Sequence, residues 1–144
     1  MLMWERTIHY YETDKMGVVH HSNYIRLLEE ARCAWLQKIG MPFSMLEENG
    51  VTVPVLGVHC EYKYHVTFED TICIRVYIKA YSGVRMTVGY DVTDKKTGKT
   101  VVLAETKHCF TNMELKPVNL KKYRPEFSEK LEQFMEMEQQ GETI

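Results

Sequence analysis

The sequence contains no uninterrupted apolar run of the ~18 residues that a membrane-spanning helix needs. Its first residues already include Glu5 and Arg6, where a secretory signal peptide would have an apolar segment. Both absences lead us to expect a cytoplasmic protein without membrane attachment. A strong excess of one charge is also missing, because 18 Lys and Arg stand against 20 Asp and Glu. We therefore expect no nucleic-acid partner, since binding to a phosphate backbone usually needs a basic surface.

Cysteine is scarce and shows no motif. The four cysteines, Cys33, Cys60, Cys73 and Cys109, are scattered and form no Cys-x-x-Cys pair. This pattern is typical of buried, reduced thiols and not of a disulfide framework. A histidine directly precedes Cys60 and Cys109, but neighbouring residues of a strand point to opposite faces, so neither pair can bind one metal ion. No metal site is therefore expected.

Three common catalytic strings are absent as well. Gly-x-Ser-x-Gly would mark the nucleophile of many serine hydrolases, Gly-x-Gly-x-x-Gly a dinucleotide site, and Gly-x-x-x-x-Gly-Lys-Ser/Thr a phosphate-binding loop. Their absence argues against these three classes of enzyme, and we expect no cofactor.

The length of 144 residues and the 44% share of hydrophobic residues suit a globular domain that needs no disulfide to be stable. We predict a single domain over residues 1–144, with a core that ends near residue 114. Residues 115–124 are predicted to be a linker, and Pro125 is a favourable first residue for a final helix. The apolar stripe of that helix consists of Phe127, Leu131, Phe134 and Met135.

An amphipathic helix is predicted over residues 23–39. Its apolar residues recur at steps of three and four, namely Tyr24, Leu28, Ala31, Trp35 and Ile39. Charged residues occupy other positions and are expected to face solvent: Arg26, Glu29, Glu30, Arg32 and Lys38. Ser22 or Asn23 can cap the helix, and Gly40 can end it.

Most of the remaining sequence alternates with the period of two that is typical of strands. In residues 71–80 every even position is apolar, and the pattern continues at Met86, Val88, Tyr90 and Val92. A turn at 94–99 joins this second strand to a third at 100–112. Further strands are predicted at 4–11 and at 51–66, the latter bent near Pro54 or Gly57. One long helix followed by antiparallel strands indicates an α+β fold with the sheet curved around the helix.

Residues 12–24, which read ETDKMGVVHHSNY, lie where the first strand gives way to the long helix. The start of a helix has unpaired backbone N–H groups that can stabilise an oxygen as it becomes negative. A loop carboxylate that faces those groups can attack an acyl carbonyl or activate water. Glu12 and Asp14 are the candidates, and the plainer alternative is that they only cap the helix. Gly17 can adopt the positive φ of a tight turn.

This segment resembles the signature of the 4-hydroxybenzoyl-CoA thioesterase-like family of hotdog-fold acyl-CoA thioesterases. In that family an acid-Thr/Cys-Asp step precedes Gly-hydrophobic-Val, and Asn-Tyr opens the helix. A second stretch, KAYSGVR at 79–85, resembles the strand junction that borders the CoA chain. The resemblance extends over the pattern of elements from the first strand to about Asn112. It implies a hotdog fold, in which an antiparallel sheet wraps around one long central helix, and here a C-terminal helix follows.

The resemblance also implies how the catalytic residues act. Asp14 matches the catalytic aspartate, as nucleophile or as general base, and is favoured over Glu12 by its place in the motif. The backbone N–H of His21 matches the donor that polarises the thioester carbonyl, and Gly17 and Val18 shape the turn that brings it there. The implied reaction is hydrolysis of an acyl-CoA to a free carboxylic acid and CoA.

Substrate-binding roles and the assembly follow from the same resemblance. Tyr24 matches the tyrosine beside the acyl pocket. Four residues match the segment that lines the path of the pantetheine and phosphate groups: Ser82, Gly83, Val84 and Arg85. In the family the pocket lies between two subunits, which implies a homodimer at least, and homotetramers are usual.

Other hypotheses stay open on sequence alone. His20 and His21 stand where the family often has Tyr or Trp, and a histidine with an acid would suit a hydratase or dehydratase acting on acyl thioesters. If Asp14 is only a cap, the protein would be a noncatalytic acyl-thioester binding module. Basic residues near the C-terminus can meet the phosphates of CoA or simply form a solvated face: Lys116, Lys121, Lys122 and Arg124.

Overall fold

The computed structural model describes residues 2–144. The strands and helices in this range are, in chain order, β1 Leu2–Thr7, α1 His21–Lys38, α2 Phe43–Glu48, β2 Val55–Tyr62, β3 Thr71–Tyr81, β4 Arg85–Asp94, β5 Thr100–Cys109, α3 Leu120–Tyr123 and α4 Pro125–Gln139. A 3₁₀ turn at Tyr10–Glu12 lies between β1 and α1.

The strands form one antiparallel sheet in the order β1-β3-β4-β5-β2. We call the face that α1 covers the helix face and the opposite one the outer face. Four core residues of α1 are at most 1% exposed: Leu27, Leu28, Ala31 and Trp35. They share the hydrophobic core with residues of β3 and β4, including Ile72, Ile74, Val76, Val88 and Val92. The predicted α+β architecture, one long helix against an antiparallel sheet with a C-terminal helix, is confirmed.

The long helix begins two residues earlier than predicted, at His21. Neither Ser22 nor Asn23 caps it, because His20 is the N-cap residue and its Nδ1 accepts a hydrogen bond from the Ser22 N–H (3.2 Å). The Asn23 side chain instead donates to the Glu12 carbonyl oxygen (2.8 Å). Histidine is not among the residues that usually cap helices, so the sequence pointed to its neighbours.

The first and last strands are shorter than predicted. β1 ends at Thr7 because the chain then turns into the 3₁₀ segment, and β5 ends at Cys109, before residue 112. Apolar residues lie directly beyond both ends, at Ile8 and Phe110, so the sequence pattern alone cannot locate the point where pairing stops.

Two irregularities bend the sheet. The pairing of β2 with β5 shifts between Val55 and Gly57, which confirms the bend expected near Gly57. The pairing of β3 with β4 shifts between Ile78 and Ala80. Ala80 is therefore exposed, and the expectation that every even position in 71–80 faces the core is wrong at this residue.

The segment predicted to be a linker contains the short helix α3. Asn119 caps this helix by accepting from the Lys121 N–H (3.1 Å), and the Leu120 N–H donates to the Gly83 carbonyl (2.8 Å). α3 therefore packs against the turn between β3 and β4. The four residues of α3 alone do not predict this tertiary contact. Pro125 opens α4 as predicted, and the apolar stripe is buried at Phe127, Leu131 and Phe134.

The expectation that Arg32 faces solvent is wrong, because this residue is 7% exposed. Its Nη1 donates to the Tyr90 hydroxyl (3.1 Å), and that hydroxyl is hydrogen-bonded to the Thr106 hydroxyl (2.8 Å). The Thr106 hydroxyl is in turn hydrogen-bonded to Nε2 of His108 (2.7 Å). A buried polar chain therefore joins α1 to β4 and β5, where the helical pattern alone suggested an exposed charge.

We expect His108 to make the fold sensitive to acid. Burial, followed by the charge of Arg32, lowers the pKa of His108 from 6.5 to about 4. The unfolded chain takes up a proton near pH 6.5 that the folded chain takes up only near pH 4, so stability falls as the pH drops through this window. The full loss is about 3 kcal/mol. Denaturant titrations should show the free energy of unfolding of the wild type falling by this amount relative to that of His108→Gln, whereas a constant difference would contradict the prediction.

All four cysteines are free thiols, but only Cys109 is buried. Cys33, Cys60 and Cys73 are partly exposed, so the expectation that all four are buried is wrong. Burial is the main cause that raises the pKa of each of these three thiols. They are therefore mostly protonated and weak nucleophiles near neutral pH.

Candidate active site

The loop between the 3₁₀ turn and α1 folds back on itself as a tight hairpin. Thr13 pairs with Val19 across it, the Asp14 N–H donates to the Val18 carbonyl (2.8 Å), and the Gly17 N–H donates to the Asp14 carbonyl (2.9 Å). Gly17 has a φ of 82°, and nothing lies within 4 Å of the place that a Cβ would take. Backbone conformation, and not crowding, therefore requires glycine at this position.

Asp14 lies at the start of the hairpin turn and is partly buried. Its Oδ1 accepts a hydrogen bond from the Met16 N–H (2.8 Å), whereas its Oδ2 forms no hydrogen bond with any residue from 2 to 144. One carboxylate oxygen thus fixes the orientation of the side chain, and the other is available to a ligand or a water molecule.

The start of α1 leaves one amide unpaired. The His20 N–H donates to the Glu12 carbonyl (3.0 Å), the Ser22 N–H to Nδ1 of His20, and the Asn23 N–H to the His20 carbonyl (2.9 Å). The N–H of His21 has no acceptor within the part of the chain that the structure describes. It stands at the positive end of the helix dipole. The amide that the family resemblance assigns to carbonyl binding is therefore a free donor.

Tyr62, at the end of β2, lies against this helix start. Its hydroxyl donates to the His21 carbonyl (3.3 Å), and its ring centroid lies 5.7 Å from that of Tyr24. Tyr24 is 4% exposed, and its burial, together with Tyr62, raises the pKa of Tyr24 to about 12, so the hydroxyl stays protonated. Sequence reasoning missed Tyr62, although the YKY run at 62–64, which begins at the last residue of β2, was an available signal.

The predicted CoA-binding residues form the turn between β3 and β4. The Arg85 N–H donates to the Ser82 hydroxyl (3.0 Å), and Gly83 has a φ of 92°. A Cβ at Gly83 would lie 2.6 Å from Oδ1 of Asn119, so close packing also requires glycine here. Ser82, Val84 and Arg85 are exposed. A ligand can therefore reach these three side chains of the turn directly.

The turn and the Asp14 hairpin lie at opposite ends of the sheet. The hairpin adjoins the start of β3, because the Val19 N–H donates to the Val66 carbonyl and the Ile8 N–H to the Asp70 carbonyl. The turn follows the end of the same strand, whose 11 residues span about 36 Å. One copy of the chain therefore does not bring the two predicted parts of the site together.

β2 is an edge strand with one neighbour, β5, and its other edge is unpaired within residues 2–144. Its exposed apolar side chains are Val55 (46%), Leu56 (50%), Val58 (42%) and Tyr62 (48%). An unpaired edge with exposed apolar side chains is a natural surface for pairing with another strand.

Residues 2–144 contain neither a metal-binding cluster nor a membrane-spanning helix. No three side chains of His, Cys, Asp or Glu lie close enough together to hold a metal ion. No helix in this range combines the length and the apolar character that crossing a membrane requires.

Comparison with known proteins places the chain in a family. The Thioesterase-like superfamily matches residues 8–136. A protein of Aquifex aeolicus (strain VF5), provisionally named an esterase, is 37% identical over 107 residues, which are 74% of this chain and 82% of that protein. YneP of Bacillus subtilis (strain 168), provisionally named an acyl-CoA thioesterase, is 30% identical over 124 residues, 85% of this chain and 89% of that one. Among solved structures, a DHNA-CoA thioesterase from Staphylococcus aureus has a TM-score of 0.89 at 26% identity, covering 99% of this chain and 96% of that one. The chain therefore belongs to the thioesterase-like superfamily and has its hotdog fold.

Proposed function

We propose that this chain is an acyl-CoA thioesterase that uses Asp14 as its catalytic carboxylate and the His21 N–H as its carbonyl donor. The observation that carries the proposal is the hairpin itself, which presents a carboxylate with a free oxygen just before a helix whose first amide is unpaired. Membership of the superfamily and the provisional name of YneP support the same reaction.

The reaction needs few groups from the protein. A thioester carbonyl is less stabilised by resonance than that of an ester or amide, so one carboxylate and preorganised donors suffice without a Ser-His-Asp triad. The His21 N–H donates to the carbonyl oxygen as its negative charge grows. Asp14 either attacks the carbonyl carbon, forming an anhydride that water then hydrolyses, or removes a proton from the attacking water. In both routes the carbon–sulfur bond breaks and CoA leaves.

A second copy of the chain would complete the site. The Val55 end of β2 lies level with Met86 and therefore with the turn at 82–85, whereas its Tyr62 end contacts the start of α1. If two copies join their β2 strands antiparallel about a two-fold axis, the turn of one copy and the Asp14 hairpin of the other come to the same end of the joint sheet. This geometry and the exposed apolar edge support a homodimer with pockets between subunits. Pairing of dimers into a homotetramer is the extension that the family resemblance implies.

The turn at 82–85 has room for the CoA chain. A crevice of about 220 Å³ is lined by Ala80, Tyr81, Ser82, Arg85, Met86 and Thr87. Arg85 forms no ion pair with residues 2–144, so its guanidinium can bind a phosphate. We propose that the pantetheine group follows this crevice.

The C-terminal basic residues fit the solvated-face hypothesis better. Lys116 pairs with Glu114 (3.4 Å), and Lys121 pairs with Glu132 (3.8 Å). Arg124 donates to two backbone carbonyls, those of Asn49 and Tyr123 (both 2.9 Å). Because these three cations are already engaged within the chain and Lys122 is exposed to solvent, we assign the CoA phosphates to Arg85, which lines the crevice.

Aromatic acyl groups are the substrate class that the site favours. The rings of Tyr24 and Tyr62 adjoin the proposed carbonyl donor, and aromatic rings pack well against one another. The structural neighbour from S. aureus is a DHNA-CoA thioesterase, which supports a cyclic acyl group. We also propose a cytoplasmic location, which the free thiols of all four cysteines support.

The test is the release of CoA thiol from a panel of aromatic, short-chain and long-chain acyl-CoAs. We expect release from at least one class, fastest from aromatic substrates. Binding of acyl-CoA without release would favour the binding module. Addition of water to an enoyl-CoA would favour the hydratase, although the His20 ring is already used to cap α1.

A further inference from the structure

We propose that the buried ion pair between Arg6 and Glu12 positions the Asp14 hairpin against the start of α1, and that its loss lowers kcat. The inference rests on the proposed function, because it concerns the placement of Asp14. The family motif favours Asp14 over Glu12 as the catalytic acid. The structure gives it a different role.

The Glu12 side chain is held at three points. Oε1 accepts from Nη1 of Arg6 (2.7 Å) and from the His9 N–H (2.7 Å), and Oε2 accepts from Nη2 of Arg6 (2.8 Å). Glu12 is 5% exposed. A two-pronged Arg–carboxylate contact fixes orientation as well as distance, so Glu12 cannot rotate without breaking strong hydrogen bonds.

The backbone of Glu12 ties the same residue to the start of α1. Its carbonyl oxygen accepts from the His20 N–H (3.0 Å) and from the side chain of Asn23 (2.8 Å). The hairpin that carries Asp14 therefore leaves from Glu12 and returns to His20, and these two ends are hydrogen-bonded to each other. Asp14 is two residues from Glu12, and its amide and carbonyl are fixed within the hairpin. The position of Glu12 thus sets where Asp14 stands relative to the His21 amide.

Arg6 links Glu12 to two other elements. It belongs to β1, where it pairs with Ile72 of β3, and it also donates to Glu30 of α1 through Nε (3.3 Å) and Nη2 (3.4 Å). One guanidinium therefore connects the sheet, the hairpin and the middle of the helix. Such contacts restrict the movement of the hairpin. The Asp14 carboxylate therefore keeps the position it needs to reach a carbonyl that the helix amide holds.

Glu12 and Arg6 each favour their charged form. Burial raises the pKa of Glu12, but the hydrogen bonds from Arg6 and His9 outweigh it, so the pKa is lowered overall. The hydrogen bond to Glu12 raises the pKa of Arg6. Both groups stay charged at neutral pH, and removing Arg6 would leave the Glu12 carboxylate as an uncompensated buried charge.

The test compares steady-state kinetics of the wild type and Glu12→Gln, with acyl-CoA as substrate and each protein well below its melting temperature. Glutamine keeps the length of the side chain but cannot form the charged two-pronged contact. We expect kcat to fall by at least about tenfold while KM changes less than about threefold, because misplacing a reacting group by ~1 Å can cost a hundredfold. Arg6→Lys, which keeps the charge, should retain more kcat than Arg6→Met, which removes it.

A variant that is destabilised far from the hairpin serves as control. Leu131 of α4 is 1% exposed and distant in the chain from the hairpin, so Leu131→Ala should lower the melting temperature yet keep the wild-type kcat. If Glu12→Gln behaves like Leu131→Ala, the pair is only structural and the inference is overturned, although Asp14 can still be catalytic. If Asp14→Asn itself keeps the wild-type kcat, the proposed function fails first, and the inference fails with it. Should Glu12→Gln not fold, Arg6→Lys is compared with Arg6→Met. A higher kcat for Arg6→Lys supports the inference, and equal kcat values overturn it.

Discussion

Asp14→Asn is expected to lower kcat for acyl-CoA hydrolysis by about a hundredfold to ten-thousandfold, the usual contribution of a positioned acid or base. Asparagine can still accept the hydrogen bond from the Met16 N–H through its Oδ1, so the hairpin should keep its shape. The free energy of unfolding should change by no more than about 0.5 kcal/mol. The measurement is thiol release under saturating substrate, together with a denaturant titration of each protein.

The turn between β4 and β5 offers a matched control. Oδ1 of Asp94 accepts from the Lys96 N–H (3.0 Å), as Oδ1 of Asp14 accepts from the Met16 N–H. The Asp94 carbonyl accepts from the Gly98 N–H (2.8 Å), in a turn one residue longer than the one that the Gly17 N–H closes at Asp14. Asp94→Asn therefore tests the same chemical change in a similar turn, and it should leave kcat unaltered. Equal activity of both variants and the wild type would remove Asp14 from the mechanism.

The periodicity of apolar residues predicted the fold well, because the residues that are buried in the core set that periodicity. The stripe from Tyr24 to Trp35 and the alternation in β3 and β4 reflect the surfaces that face one core, so one helix and an antiparallel sheet followed directly. The failures occur where a single residue departs from its periodic position. Arg32 extends under the helix to reach Tyr90, and Ala80 follows a shift in strand pairing. The local pattern of apolar residues indicates neither departure.

The candidate site was predictable only in part. The hairpin and helix start are local in sequence, so a motif of 13 residues contains Asp14, Gly17 and His21 together. The contacts of Tyr62 with the helix start and of Arg6 with Glu30 join residues 41 and 24 positions apart, which no local pattern reports. The separation of the hairpin from the turn at 82–85 depends on the length of β3 and on sheet order, both of which emerge only from the folded chain.

Val58→Lys is expected to separate the proposed dimer into monomers and to lower kcat/KM by at least about a hundredfold, since each pocket would lose the half that the other copy supplies. Val58 pairs with Thr106 and therefore points to the helix face of the sheet at the middle of the free edge, where a two-fold axis would bring two copies of residue 58 together. The side chain is 42% exposed in one chain, so lysine should not disturb the monomer fold. Light scattering and thiol release at the same protein concentration measure the two effects.

Leu103→Lys is the matched control for this change. Leu103 is also an exposed aliphatic residue (37%), but it lies on β5 opposite Asp91 and Glu61, on the outer face of the sheet. A lysine there meets acidic neighbours and should leave the β2 pairing and the activity intact. A dimeric and fully active Val58→Lys protein would contradict pairing through β2.

Mixing two inactive variants then decides whether the site is shared between subunits. Asp14→Asn lacks the carboxylate, and Arg85→Glu should bind CoA poorly because its new charge repels the phosphates. If Asp14 of one copy works with Arg85 of the other, each mixed dimer has one intact site, so random exchange of subunits should restore about a quarter of the wild-type activity. If both residues served a site within one chain, every site in the mixed dimer would carry a defect and no activity would return. The recovery therefore distinguishes a site shared across the two-fold axis from a site within a single chain. The length of β3, about 36 Å, argues against a site within a single chain.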